Sequence, residues 1–116
     1  MNWQISGNEV WQHGQQLARF PYPIKETKQL GDVLVVLLQL PADVVFPENV
    51  FGIELTTGRQ WQIESQRYYQ QASPETCFVA IAPEAPEGLV SLSTWGEQMV
   101  DVDYQTGRIV RVESLR

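Results

Sequence analysis

Val50-Phe51-Gly52-Ile53-Glu54-Leu55-Thr56-Thr57-Gly58-Arg59-Gln60-Trp61-Gln62-Ile63-Glu64-Ser65 can be laid over Met99-Val100-Asp101-Val102-Asp103-Tyr104-Gln105-Thr106-Gly107-Arg108-Ile109-Val110-Arg111-Val112-Glu113-Ser114, at an offset of 49 residues and with no gap. Thr-Gly-Arg and Glu-Ser coincide in the two stretches. The apolar positions coincide as well: Phe51, Ile53, Leu55, Trp61 and Ile63 overlay Val100, Val102, Tyr104, Val110 and Val112. Glu54 and Asp103, like Gln62 and Arg111, take the other parity. Side chains alternate across a strand, so each stretch reads as a β-hairpin with one apolar and one polar face. Thr-Gly at each tip suits a short loop, a type I turn closed by a bulge, whose glycine is left-handed.

Outward from these hairpins, turn signals recur every eight to twelve residues between β-branched and aromatic runs, the mark of an all-β meander, sandwich or barrel. Further strands are expected near Asn2–Ile5, Glu9–Gln12, Gln16–Phe20, Asp32–Leu40, Cys77–Ala82 and Leu89–Thr94. Ser6-Gly7-Asn8 and His13-Gly14 divide the N-terminal part, and Pro21 and Pro23 stop the third strand because proline lacks a ladder N–H. The run Val33–Leu38 is apolar on both parities, so both its faces should be buried and a second layer must exist. The helical candidates are short: Ser65–Ala72, with no apolar stripe at helical spacing, and one turn over Lys25–Leu30. The expectation is a single all-β domain over residues 1–116, mainly antiparallel, as a sandwich, curled sheet or partly open barrel.

At 116 residues the chain fits one domain, since domains cluster at roughly 100–150 residues. The net charge is −6, from 14 acids against eight scattered basic residues. Nucleic-acid binding runs on clustered Lys and Arg, and an anionic membrane would be repelled, so neither is expected as a partner. A basic protein would be attracted. No apolar run approaches the ~20 residues of a membrane span, and Met1–Ser6 lacks the pattern of a signal peptide. With Cys77 the single cysteine, no internal disulfide forms. A cytoplasmic location follows as the expectation.

The 49-residue period and the tip Asp103-Tyr104-Gln105-Thr106-Gly107 resemble a β-propeller blade, such as those of quinoprotein dehydrogenases. A propeller has about four blades or more, which favours an ordinary sandwich. A closer resemblance is to small uncharacterised bacterial β-rich proteins. It rests on Asn49-Val50-Phe51, on Gly58 with Trp61-Gln62-Ile63, and on Val102-Asp103-Tyr104-Gln105-Thr106-Gly107. It implies a β-rich fold and no particular activity. In size and acidity the chain also resembles the immunity partners of bacterial toxins.

No catalytic or cofactor motif is present. One histidine and one cysteine make a zinc site improbable. Asp101 and Asp103 share a strand face with Glu97 near; a solvated face is expected there in preference to a weak calcium site. His13 and Cys77 could be paired as base and nucleophile, but nothing in the sequence places them together. The candidate interaction surface is Tyr68 and Tyr69 with Trp11 and Trp95, since Tyr and Trp bury much area at little entropy cost. Two function classes follow. The first is a non-enzymatic protein-binding module, an acidic inhibitor or accessory subunit without cofactor; the second is a small ligand-binding barrel or enzyme with carboxylates in a Trp-lined cavity. An exposed edge strand could also pair two copies as a homodimer.

Overall fold

The structure, a computed structural model, describes residues 3–66, 76–95 and 98–114. Eleven strands run through these residues: β1 (Trp3–Ser6), β2 (Glu9–Gln12), β3 (Gln15–Arg19), β4 (Ile24–Leu30), β5 (Val33–Leu38), β6 (Val50–Glu54), β7 (Gln60–Gln62), β8 (Phe78–Ile81), β9 (Leu89–Thr94), β10 (Gln98–Asp103) and β11 (Ile109–Ser114). They form three antiparallel sheets in which every strand pairs only with a neighbour in sequence: β1-β2-β3, β4-β5-β6-β7 and β11-β10-β9-β8. The chain is all-β, and no sheet closes into a barrel.

All six side chains of β5 are buried. Val33, Val35 and Leu37 pack with Val90, Leu92, Val100 and Val102 of the last sheet. Leu34, Val36 and Leu38 pack with Val10, Ala18 and Phe20 on the first-sheet side. The middle sheet is therefore covered on both faces, and the second layer expected from Val33–Leu38 occurs twice. Each fully buried aliphatic side chain contributes about 1.5–3 kcal/mol relative to exposure, so this strand holds the three layers together.

Ile24–Leu30 is a strand, correcting the helical turn expected over Lys25–Leu30. Its polar run conceals it, because its side chains serve an edge. Lys25 Nζ donates to Val79 O (2.7 Å), Lys28 Nζ to Pro83 O (2.8 Å), and Ile81 N–H to Glu26 Oε1 (3.3 Å). These bonds cover the open edge of β8 with β4 side chains. Ser65–Ala72, the other helical candidate, extends over residues 67–72, outside the described residues.

The repeat is real, but its faces differ from expectation. Phe51, Ile53 and Leu55 face the first sheet. Trp61 pairs with Gly52, not with an odd-numbered neighbour, so Trp61 and Ile63 face the last sheet. A hairpin in a two-sided sheet has no polar face to mark its register. In the second copy Val100 and Val102 are buried against the middle sheet as expected, with Ile109 and Val112 beside them. The pairing shifts at Asp101/Val102, and Val110 is 56% exposed. Both tips are four-residue loops, closed by Gly58 N–H to Glu54 O (2.7 Å) and Gly107 N–H to Asp103 O (2.8 Å), with both glycines at positive φ.

Trp61 and Asn49 also tie the middle sheet to the last. The Trp61 ring lies between Gly52 and Gly107, where a Cβ on either glycine would overlap it; at Gly107 the added carbon would be 2.5 Å from Cε3. Its Nε1–H donates to Tyr104 O (2.9 Å). Asn49, fully buried, donates through Nδ2 to Phe78 O (2.9 Å) and Leu38 O (3.1 Å), and accepts from Phe78 N–H through Oδ1 (2.9 Å). Its amide thus stands in for a strand at the entry of β8.

Substituting alanine at Gly58, where the added carbon meets nothing, should cost only the left-handed penalty of about 1–2 kcal/mol. Gly107→Ala should cost about 2–4 kcal/mol, because overpacking against Trp61 is added. Urea unfolding midpoints measure both, and equal losses would remove Trp61 from its wedge role. Asn49→Leu leaves buried backbone groups of Phe78 unpaired and should destabilise by about 2–4 kcal/mol. Hydrogen exchange at the Phe78 amide should accelerate with it; an unchanged rate would mean that the amide is not what protects that strand.

Candidate functional site

The two ends of the stack differ. β5 runs from the turn Gly31–Asp32 at one end to Leu38 at the other, and the depressions at its two ends have different linings.

At the first end, two clefts flank Asp32. One, about 520 Å³, lies between the first and middle sheets and includes Trp3, His13, Asp32 and Thr56. The other, about 620 Å³, lies between the middle and last sheets and includes Asp32, Glu54, Arg59, Trp61 and Tyr104. This second cleft is the Trp-lined, carboxylate-bearing cavity that the sequence offered as one reading. Its carboxylates already brace loops: Asp32 Oδ2 accepts from Thr56 Oγ1 (2.6 Å), and Glu54 Oε1 accepts from Thr57 Oγ1 (2.9 Å). Gly52 and Gly107 both pack against the Trp61 ring, which reduces the part of it that faces the cleft. Cys77 lines a groove at the opposite end, which separates it from His13 and removes that pair as a catalytic unit. Among the described residues, no three His, Cys, Asp or Glu side chains gather as metal ligands.

At the second end, β9 finishes at Thr94 and its ladder extends one residue, Trp95 N–H to Cys77 O (3.4 Å). The Trp95 side chain then projects outward, 76% exposed. Beside it is a groove of about 530 Å³ bordered by Leu40, Pro41, Ala42, Val44 and Cys77. The loop that supplies most of this wall is pinned by Phe46, whose ring packs near Tyr22 (centroids 6.0 Å apart) and Phe51 (6.4 Å). With Phe46 turned inward, Val45 is left 73% exposed. Asp43, exposed, is the charged residue of the 39–44 wall, and Glu75 and Glu97 flank the Cys77 and Trp95 segments in sequence.

Of the sequence-based surface residues, Trp11 and Trp95 lie apart. Trp11 is half-buried in the first sheet and donates from Nε1 to Glu9 Oε1 (3.0 Å). Trp95 belongs to the last sheet, so the middle layer separates the two. Tyr68 and Tyr69 lie outside the described residues. The wall of the Trp95 groove was not foreseen. Its signal is Val44-Val45-Phe46 between two prolines, an apolar triplet in a loop with room to bury only one ring. Asp101 also differs from the expected solvated acid: it is 3% exposed, accepting from Ser91 Oγ (2.6 Å) and from Arg111 Nε and Nη2 (3.1 and 2.8 Å). With three bonds to protein donors it has a structural role.

Among the described residues, no helix is long and apolar enough to cross a membrane. No curated protein matches this chain. The crystal structure of the computationally designed Ika8 protein is similar in fold, with a TM-score of 0.57 at 14% identity over 96% of this chain. The match spans only 35% of that chain, and at such identity the likeness concerns the fold alone. The sequence profile of a domain of unknown function (DUF7957) matches residues 1–114, so the chain belongs to that family.

Proposed function

We propose that this chain is a non-enzymatic protein-binding module, an acidic accessory or inhibitor-type subunit, and that it engages its partner through the groove beside Trp95. The observation that carries this reading is a tryptophan 76% exposed on the wall of a groove that Leu40, Pro41, Ala42 and Val44 also line. Binding hot spots are enriched in Trp, Tyr and Arg seated at pockets. The net charge of −6 favours a partner segment that sets Lys or Arg beside an apolar anchor.

The 620 Å³ cleft supports a second reading, a small polar ligand held between Arg59 and the carboxylates of Asp32 and Glu54. One variant pair separates the two. Peptides selected on the purified protein from a random display library should carry an aromatic or aliphatic residue flanked by Lys or Arg. Trp95→Ala should weaken them by about 2 kcal/mol, some 30-fold, with an unchanged unfolding midpoint, and Arg59→Ala should leave them unaffected. Selection of no such motif, or binding that ignores Trp95, would overturn this function.

A further inference from the structure

The first sheet has three strands where the other two have four, and the way the chain crosses between sheets identifies the missing one. β4 begins beside the β1–β2 turn, with Ile24 N–H bonded to Gly7 O (3.0 Å). β8 begins beside Asn49, the residue ahead of β6, with Phe78 N–H bonded to Asn49 Oδ1 (2.9 Å). The β1–β2 connection therefore corresponds to the β5–β6 connection. By this match β1, β2 and β3 are the counterparts of β5, β6 and β7. Among the described residues, the first sheet has no counterpart of the strand that β4 supplies to the middle sheet and β8 to the last.

Burial shows the same vacancy. β5 is buried throughout and β9, its counterpart in the last sheet, is buried at four of six positions. β1 has no buried residue. The last sheet ends the stack just as the first does, so the contrast between β1 and β9 isolates the absent flanking strand. Ile5 is 37% exposed although it shares a ladder row with Val10 and Ala18, which are 0% and 5% exposed.

The edge itself is open. Ser6 pairs with Glu9 across a two-residue turn, and in an antiparallel ladder alternate pairs exchange hydrogen bonds. Ser6 and Gln4 thus bond to β2, while Trp3 and Ile5 direct their backbone N–H and C=O away from it. On β8 the corresponding groups are covered by Lys25, Glu26 and Lys28. Among the described residues nothing does this for Trp3 or Ile5.

We propose that the free edge of β1 pairs, antiparallel and across a twofold axis, with β1 of a second copy of this chain. The direction is compatible with this occupant. β4 is antiparallel to β5 and β8 to β9, so the vacant place takes an antiparallel strand, which a twofold axis through Gln4 generates from β1 itself. Trp3 then faces Ile5 of the copy, and the outward groups of both are satisfied. The charges agree as well. Two chains of net charge −6 repel, and Trp3-Gln4-Ile5-Ser6 carries no charge, so the contact brings no like charges together. A four-residue ladder is small beside the ~1,600 Å² of a standard interface, so the dimer is weak and strengthens as salt screens the acids.

Sedimentation velocity from about 10 to 500 µM protein, in 0.05 and 0.5 M NaCl, tests this. The dimer fraction should rise with both concentration and salt. Ile5→Pro removes an outward N–H and leaves the bonds of Gln4 and Ser6 to β2 intact; it should hold the protein monomeric with little change in unfolding midpoint. Ile5→Lys, which places like charges at the seam, should do the same should proline perturb the hairpin. Hydrogen exchange at the Ile5 amide should slow as the wild type dimerises, and Trp95→Ala should leave the dimer unchanged, which keeps this test separate from that of the Trp95 groove. A monomer at every concentration, a dimer unaffected by both Ile5 variants, or an Ile5 amide protected only by a different protein's strand would each overturn the assignment.

Discussion

Two-sided burial of β5 governs the architecture. A strand whose every side chain is apolar cannot present either face to water, and a single opposing sheet would cover only half of it. The chain meets this with one meander before the strand and another after it. Leu34, Val36 and Leu38 are matched by the first sheet and Val33, Val35 and Leu37 by the last. The other strands of the stack are adjusted to that arrangement: β6 divides its side chains between both cores, and β7 turns Trp61 to one of them.

The repeated hairpin shows how one sequence pattern serves an internal and a terminal layer. In the middle sheet Trp61 sits opposite Gly52 and reaches the next layer. In the last sheet the bulge moves Arg111 into the place opposite Asp101, where its Nε and Nη2 both donate to Oδ2 on a surface with no further layer over it. An aromatic wedge and a charged lid thus occupy equivalent positions. The residue on the opposing strand, glycine or aspartate, decides which of the two fits.

Much of this was legible in the residues. β9 lies at the expected residues, the glycines at both tips are left-handed, and Val33–Leu38 announced its double burial. What failed did so for definable reasons. Period-two reading assumes one wet face, so it joined Trp61 to Phe51 when the sheet has none. Lys25-Glu26-Thr27-Lys28-Gln29 looked unlike a strand because its polar groups bond backbone on another sheet, a long-range fact with no local mark. The exposure of Trp95 was readable from its place at a strand end. The groove beside it depends on how a loop between two prolines packs around Phe46, which no spacing encodes.

Because every ladder joins strands adjacent in sequence, each sheet can form as soon as its own stretch of chain is available, and the order of synthesis can be the order of folding. The middle sheet completes while only its first-sheet side is covered. For that interval the stripe Val33, Val35 and Leu37 is wet and adhesive, and the maturing molecule is most open to misassociation just before its final meander arrives.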